Sequence, residues 1–274
     1  MWFSQITVRE LFLLSNNKQD INFVSKMSFK SKFLTIVVLV FTSCAPITTR
    51  QTSNYKEVIA KYNTMVLLPV EVEINSVDAG GKTKRFYDYE YHLESLVKEN
   101  VIPEMRLKGF QISFLSRKDA HDRGIYNDVL QLRQKYNEEI KALHSPQFKE
   151  KNASAIDVNF EQYTTRIGEV ENADLIMMVD FSGYARTSGA VALSFLTGMV
   201  TGVYSGGPSA GSTILISIID AKTGKLLWNN TAHEADAFFT SSSNNRAKQD
   251  KIDNKMIDLL MKRVFKPFCY RCEK

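Results

Sequence analysis

The sequence predicts a single α/β domain, a mixed sheet flanked by helices that closes on a C-terminal β-hairpin and a helix. Three observations predict it. Apolar runs of strand length at Thr64–Ile74 and Ala173–Tyr184 read as strands buried on both faces. Stretches with apolar residues at helical spacing alternate with them. No linker or internal repeat divides residues 55–268, so one α/β body of about 215 residues fits best.

Each element follows from its own pattern. Thr64–Ile74 (TMVLLPVEVEI) begins as a continuous apolar run and then alternates, as a strand does on leaving a core. Residues 75–86 read as a loop. Tyr87–Lys108 carries a helical stripe of Tyr91, Leu93, Leu96, Val97, Val101 and Met105, with an irregularity expected before Pro103. Gly109 is placed to end that helix, and Phe110–Leu115 makes a second strand. His121–His144 is the clearest amphipathic helix: Ile125, Val129, Leu132, Tyr136, Ile140 and Leu143 recur at spacings of 4, 3, 4, 4 and 3. Residues 145–160 read as loop and 161–171 as a short helix, followed by the strand Ala173–Tyr184. Ser212–Ile219 and Lys225–Thr231 form a hairpin across the turn Asp220-Ala221-Lys222-Thr223-Gly224. After a polar loop at 240–250, Lys251–Phe265 restores helical spacing through Ile252, Met256, Leu259, Leu260, Val264 and Phe265. The expected order is β-α-β-α-β-β-β-α.

Composition bounds the function. The 274 residues are 44% hydrophobic and 24% charged, with 13 Gly, 6 Pro and 3 Cys, which excludes a disordered chain, a collagen-like fibre and a disulfide-dense miniature scaffold. The net charge of +5 is carried largely by the N-terminal segment: residues 44–274 hold 30 basic against 28 acidic side chains. A chain so nearly balanced offers no electrostatic case for nucleic acid.

The N-terminal segment carries the most specific signal. Lys30 and Lys32 precede the apolar run Phe33–Phe41 (FLTIVVLVF), then Thr42, Ser43 and Cys44. Nine residues span roughly 14 Å as a helix, about half of a bilayer core, so the run reads as a secretory signal and not a membrane span. Small residues before a cysteine resemble a bacterial lipobox, with Phe41 where leucine is usual. The resemblance implies cleavage of 27–43 and lipidation of Cys44 with acyl chains such as palmitate. Residues 1–26 do not suit the start of a signal, so they are expected to be a mis-assigned extension ahead of Met27. One acyl chain holds only reversibly at ~0.8 kcal/mol per methylene, whereas two or more anchor stably. Residues 44–54 read as a flexible tether, and Ala45 in place of an aspartate favours the outer membrane, with the body facing the periplasm.

The landmarks of the body carry a further resemblance. These are Leu67–Val70 (LLPV) at the end of the opening strand, Ala173-Asp174-Leu175 at a strand start, and the hairpin Ile218–Trp228 (IIDAKTGKLLW). Together they look like the periplasmic lipoproteins that share the fold of the TolB N-terminal domain and of the curli-secretion lipoprotein CsgG. The resemblance implies an assembly factor, a secretion component or an activator of envelope enzymes, and not itself an enzyme.

Candidate chemistry is sparse. Gly80-Gly81-Lys82-Thr83 invites a phosphate-loop reading, but the required glycine five positions earlier is Ser76, so no nucleotide is expected. The uncharged run 190–206, inside an insertion at 190–211, has small residues at every fourth position: Ala190, Ser194, Gly198, Gly202 and Gly206. On a helix these form one narrow groove for close backbone approach, packed on the body, on an oligomer or partner, or in a membrane. Cys269 and Cys272 close the chain (tail 269–274); a local disulfide is the simplest reading, with redox activity, half a metal site or an interchain bond as alternatives. His92, His121, His144 and His233 are scattered without an HExxH pattern, so no metal and no cofactor are expected. Asp180 lies inside an apolar strand, where burial would raise its pKa. Trp228 reads as core, and the N-x-S/T triplets at Asn152 and Asn229 as incidental.

The expectation is an outer-membrane-anchored lipoprotein, held to the membrane through Cys44, that binds an envelope protein or its own copies without catalysis. The alternatives are a pore-forming secretion component, or a lipid-anchored hydrolase or redox enzyme using Asp180 with a histidine, or the terminal cysteines.

Overall fold

The computed structural model describes residues 49–143, 158–186, 210–234 and 246–268. All of these belong to the unit Ile47–Lys274; the other unit of the chain, Met1–Pro46, lies outside the described residues. Eight strands form one mixed sheet: β1 (Arg50–Gln51), β2 (Thr64–Leu67), β3 (Glu71–Val77), β4 (Thr83–Arg85), β5 (Gln111–Phe114), β6 (Leu175–Arg186), β7 (Ala210–Asp220) and β8 (Leu226–Glu234). Among the described residues there are six helices: α1 (Tyr55–Ile59), α2 (Tyr87–Leu107), α3 (Arg117–Asp122), α4 (Tyr126–Leu143), α5 (Glu161–Glu171) and α6 (Arg246–Phe265). The strand order is β1-β8-β7-β6-β2-β5, with β3 also paired to β6 and β4 paired to β3. The sheet does not close into a barrel.

The centre is parallel: β2 pairs with β5 and β6, and β3 pairs with β6, all in the same direction. Parallel strands need crossovers, and these put helices on both faces. One face is covered by α2 and α6, whose Leu93, Val97, Val101, Leu260 and Val264 pack with Met65, Leu67, Leu175 and Met177. The other is covered by α3, α4 and α5, where Ala120, Leu132, Tyr136 and Ile167 meet Val66, Leu68, Ile176 and Met178. Successive residues of β2 and β6 thus point into two cores, which is why both strands are apolar without alternation.

Four expectations from sequence are corrected. Thr64–Ile74 is two strands. Leu67 lies opposite Met177 and Glu71 opposite Asp180, so three residues bridge a gap that β6 crosses with two. This is a β-bulge centred on Pro69, which has no N–H for the ladder. The helix expected over 121–144 is α3 and α4, broken where Gly124 adopts a φ of +70°. Residues 75–86, read as loop, contain the end of β3 and all of β4, which turn about Asp78: its carboxylate accepts the amides of Gly80 and Lys82. Arg50–Gln51, in the stretch read as tether, pair with Asn229 and Trp228 at the sheet edge.

The landmarks have structural duties. Asp220 Oδ1 accepts the amides of Lys222 (3.0 Å) and Thr223 (2.8 Å) and its Oδ2 accepts the Tyr62 hydroxyl (2.6 Å), while Gly224 supplies a φ of +67°. Asp174 Oδ2 accepts the amides of Asn63 and Thr64 and the Thr64 hydroxyl, tying the start of β6 to the start of β2. Trp228 is fully buried, stacked near Phe265 and edge-on to Phe268.

Candidate functional site

The chain leaves the carboxyl ends of adjacent parallel strands towards opposite faces. From β2 it runs through β3, β4 and α2 to β5 on one side; from β5 it runs through α3, α4 and α5 to β6 on the other. Open α/β sheets form their ligand crevices where the connections diverge in this way. Here a crevice of about 260 Å³ opens between the starts of α2 and α3.

Its floor is a notch in the sheet edge. β5 stops beside β2, and β4 pairs only with Asn75–Val77, so Glu71–Ile74 of β3 have no strand beside them on that side among the described residues. Side chains satisfy the bared backbone. The Ile74 amide donates to Glu90 Oε1 (2.9 Å), and Arg85 Nη2 donates to the Val72 carbonyl (3.3 Å). Arg85 Nε in turn donates to Glu90 Oε1 (2.7 Å), which holds the Arg85 guanidinium above its ordinary pKa. Across the notch, Arg117 Nη1 grips both oxygens of Glu94 (2.9 and 3.1 Å), and its Nη2 lies 3.6 Å from Glu71. Burial opposes the charge on Arg117, and Glu94 outweighs it, so its pKa is also raised. The rim is aromatic: Tyr87 and Tyr91, one turn apart on α2, are 62% and 72% exposed. Tyr91 was expected on the buried stripe of α2, but it sits where that helix overhangs the notch. Leu259, expected on the buried stripe of α6, is likewise exposed.

Behind the notch lies a third charged pair. Arg133 of α4 binds Asp180 with Nη1 and the Pro69 carbonyl with Nη2 (2.9 Å), so one side chain holds both strands of the bulge. Burial pushes the Asp180 carboxyl above its ordinary pKa, and Arg133 acts against that shift. Tyr136, beneath the guanidinium, shares a hydrogen bond with Ser217 (2.8 Å), which also accepts from Asn229, and the Tyr136 hydroxyl also bonds the Asp180 carboxyl. Asp180 is therefore partnered by Arg133 and Tyr136, and among the described residues no histidine joins it. His121 stacks on Tyr126, His233 Nδ1 is 3.1 Å from Thr213 Oγ1, and His92 Nε2 is 3.8 Å from Asp253.

At the opposite, amino end of the parallel strands a groove of about 680 Å³ adjoins another of about 520 Å³, sharing Thr64, Gln111, Asn172 and Ala173 as lining. Asp174 lines the larger groove, and its Oδ2 is already occupied by three donors. Among the described residues no group of three His, Cys, Asp or Glu could hold a metal ion, and no helix is long and apolar enough to cross a membrane. Gly80, Gly81 and Lys82 lie in the exposed turn of the β3–β4 hairpin, and Thr83 opens β4. Cys44, the run containing Ala190, Ser194, Gly198, Gly202 and Gly206, Cys269, Cys272, His144 and Asn152 lie outside the described residues. The notch was not foreseen, because its residues are scattered in sequence and each reads singly as a solvated charge. The signal available was the repeat of tyrosine and glutamate at Tyr87, Glu90, Tyr91 and Glu94, all within two turns of one helix.

No protein-family model matches the chain, and no curated protein matches it. Solved structures similar to it include the PelC dodecamer from Paraburkholderia phytofirmans, at 12% identity and TM-score 0.34 over 82% of this chain and all of that one. Lipoprotein GNA1162 from Neisseria meningitidis is similar at 7% identity and TM-score 0.29, over 75% of this chain and 99% of its own. The LpoB C-terminal domain from Salmonella enterica is similar at 8% identity and TM-score 0.26, over 66% and 96%. At these scores none of the likenesses bears on role.

Proposed function

We propose that the chain is an outer-membrane lipoprotein, anchored through Cys44, whose α/β body binds or assembles a component of the bacterial cell envelope without catalysing a reaction. The observation that carries this reading is the basic, apolar and small-residue succession of 27–43 ending at Cys44, six residues before the first strand of the body. At roughly 3.3–3.6 Å per residue that stretch reaches about 20 Å at most, so the body would stay close to the leaflet that holds it. Confinement of this kind raises the effective concentration of the body for partners in the same membrane. The run at 190–206 lies in sequence between Ala185 and Ala210, which face each other where β6 pairs with β7. The small residues Ala190, Ser194, Gly198, Gly202 and Gly206 would form the contact surface. A pore-forming role would use the same run in a membrane; a terminal Cys269–Cys272 disulfide fits either reading.

Metabolic labelling with a fatty-acid analogue tests the anchor: the parent chain takes up label and fractionates with outer membrane, and Cys44→Ala does neither. Labelling that survives the substitution contradicts the proposal. For the contact surface, Gly198→Leu with Gly202→Leu removes co-purifying partners or oligomers, and complexes that persist assign the contact elsewhere.

A further inference from the structure

We propose that the notch between β3, α2 and α3 binds an uncharged glycan chain. The argument starts from charge. Two guanidinium groups, Arg85 and Arg117, face three carboxylates, Glu71, Glu90 and Glu94. Both arginines are ion-paired, Arg85 to Glu90 with a further bond to the Val72 carbonyl, and Arg117 through Nη1 to both oxygens of Glu94. An anionic ligand would find no spare cation and an excess of negative charge. A polycation would have to compete with arginines already seated on the carboxylates at 2.7–3.1 Å. An apolar ligand would strand these polar groups without water.

A neutral polyol meets none of these objections. Paired guanidinium and carboxylate groups offer donors and acceptors together, fixed in planes by one another, which suits hydroxyls that both give and take hydrogen bonds. Tyr87 and Tyr91 supply the other half of sugar recognition, flat rings against which the C–H faces of a pyranose stack. Both rings stand at the rim, and Arg85 lies over Tyr87 at 5.1 Å, steadying it without burying it. The size fits a chain end or a short stretch of chain. A volume of about 260 Å³ falls below the ~300–1,000 Å³ usual for enclosed ligand sites, so a sugar ring or two would enter and the rest would lie over the tyrosines. This inference is independent of the Cys44 anchor and of the run at 190–206.

The test is a titration of the purified full chain with tri-N-acetylchitotriose, an uncharged trimer, followed by calorimetry and by the NMR signals of the tyrosine rings. Binding is expected at millimolar or tighter concentration, unaffected by added salt because no ion pair forms. Tyr87→Ala and Tyr91→Ala should each weaken it by roughly 3- to 10-fold, the worth of one aromatic contact. Both side chains are exposed, so circular dichroism should stay that of the parent, and Leu107→Ala, at an exposed site on the same helix, should bind as the parent does. Cys44→Ala should also bind normally, which separates this inference from the anchoring proposal. Absence of binding, binding indifferent to both tyrosines, or salt-sensitive displacement by dextran sulfate would overturn the assignment.

Discussion

Arg133 is the side chain on which the bulge depends. It is 12% exposed and its partner Asp180 26%, so the pair is shielded without being sealed. Removing the guanidinium leaves a half-buried carboxylate and an uncapped Pro69 carbonyl, so Arg133→Met should cost roughly 2–4 kcal/mol in urea unfolding, near the lower range for broken buried pairs. The pH dependence follows from the raised pKa of Asp180. A carboxyl that binds its proton more tightly in the fold than in the unfolded chain adds stability as pH falls through its folded value. The penalty of Arg133→Met should therefore be largest at neutral pH and shrink on acidification, and Asp180→Asn in the same chain should recover part of it. Asp174 runs the other way. Burial opposes its charge, but hydrogen bonds from Thr64 and Asn63 outweigh it and hold it below the ordinary value of 3.8. Its contribution is present above that ordinary value and is lost as pH falls through the lower folded one. Asp174→Ala should cost about 1–3 kcal/mol at pH 7, with the difference from the parent closing in strong acid.

At the scale of elements, two glycines fix how segments meet. A Cβ on Gly168 of α5 would lie 2.7 Å from the Ala221 Cβ and 3.2 Å from the Ala173 carbonyl, so the helix backbone packs directly on Ala221 of the hairpin turn. Gly168→Ala should lower stability by about 1–3 kcal/mol through overpacking, read as a shifted urea midpoint with unchanged slope. Gly124 lies in open space, and its substitution by alanine should cost only about 1 kcal/mol, from the φ of +70° alone. The contrast explains what was legible beforehand. Strands β2 and β6 were readable because burial on both faces makes an uninterrupted apolar run, and the β7–β8 hairpin because Asp220 and Gly224 bracket its turn. The bulge was hidden because Pro69 sits inside an apolar run whose length suits one strand. The α3–α4 break was hidden because the heptad-like spacing begins at Ile125, just past Gly124, and the helical residues before it carry no apolar period. β1 contributes two residues and has no pattern to read.

Across the whole molecule, the three-layer plan was recoverable from the order of elements, since parallel strands joined by helical crossovers leave few arrangements. The notch was not recoverable, because it is made by topology: β5 ends early, β4 starts late, and charges from β3, β4, α2 and α3 close on the bare edge between them. No local spacing encodes that meeting. The same plan leaves the amino end of β1 beside β8, a short reach from Cys44 along the chain. The reading of this protein as a lipid-tethered binding body is tested most directly by intact mass spectrometry of the chain extracted from cells. The account predicts a polypeptide that begins at Cys44 and is heavier than its residues by two or three fatty acyl groups. A chain that retains residues 27–43, or that begins at Cys44 without added mass, would contradict it.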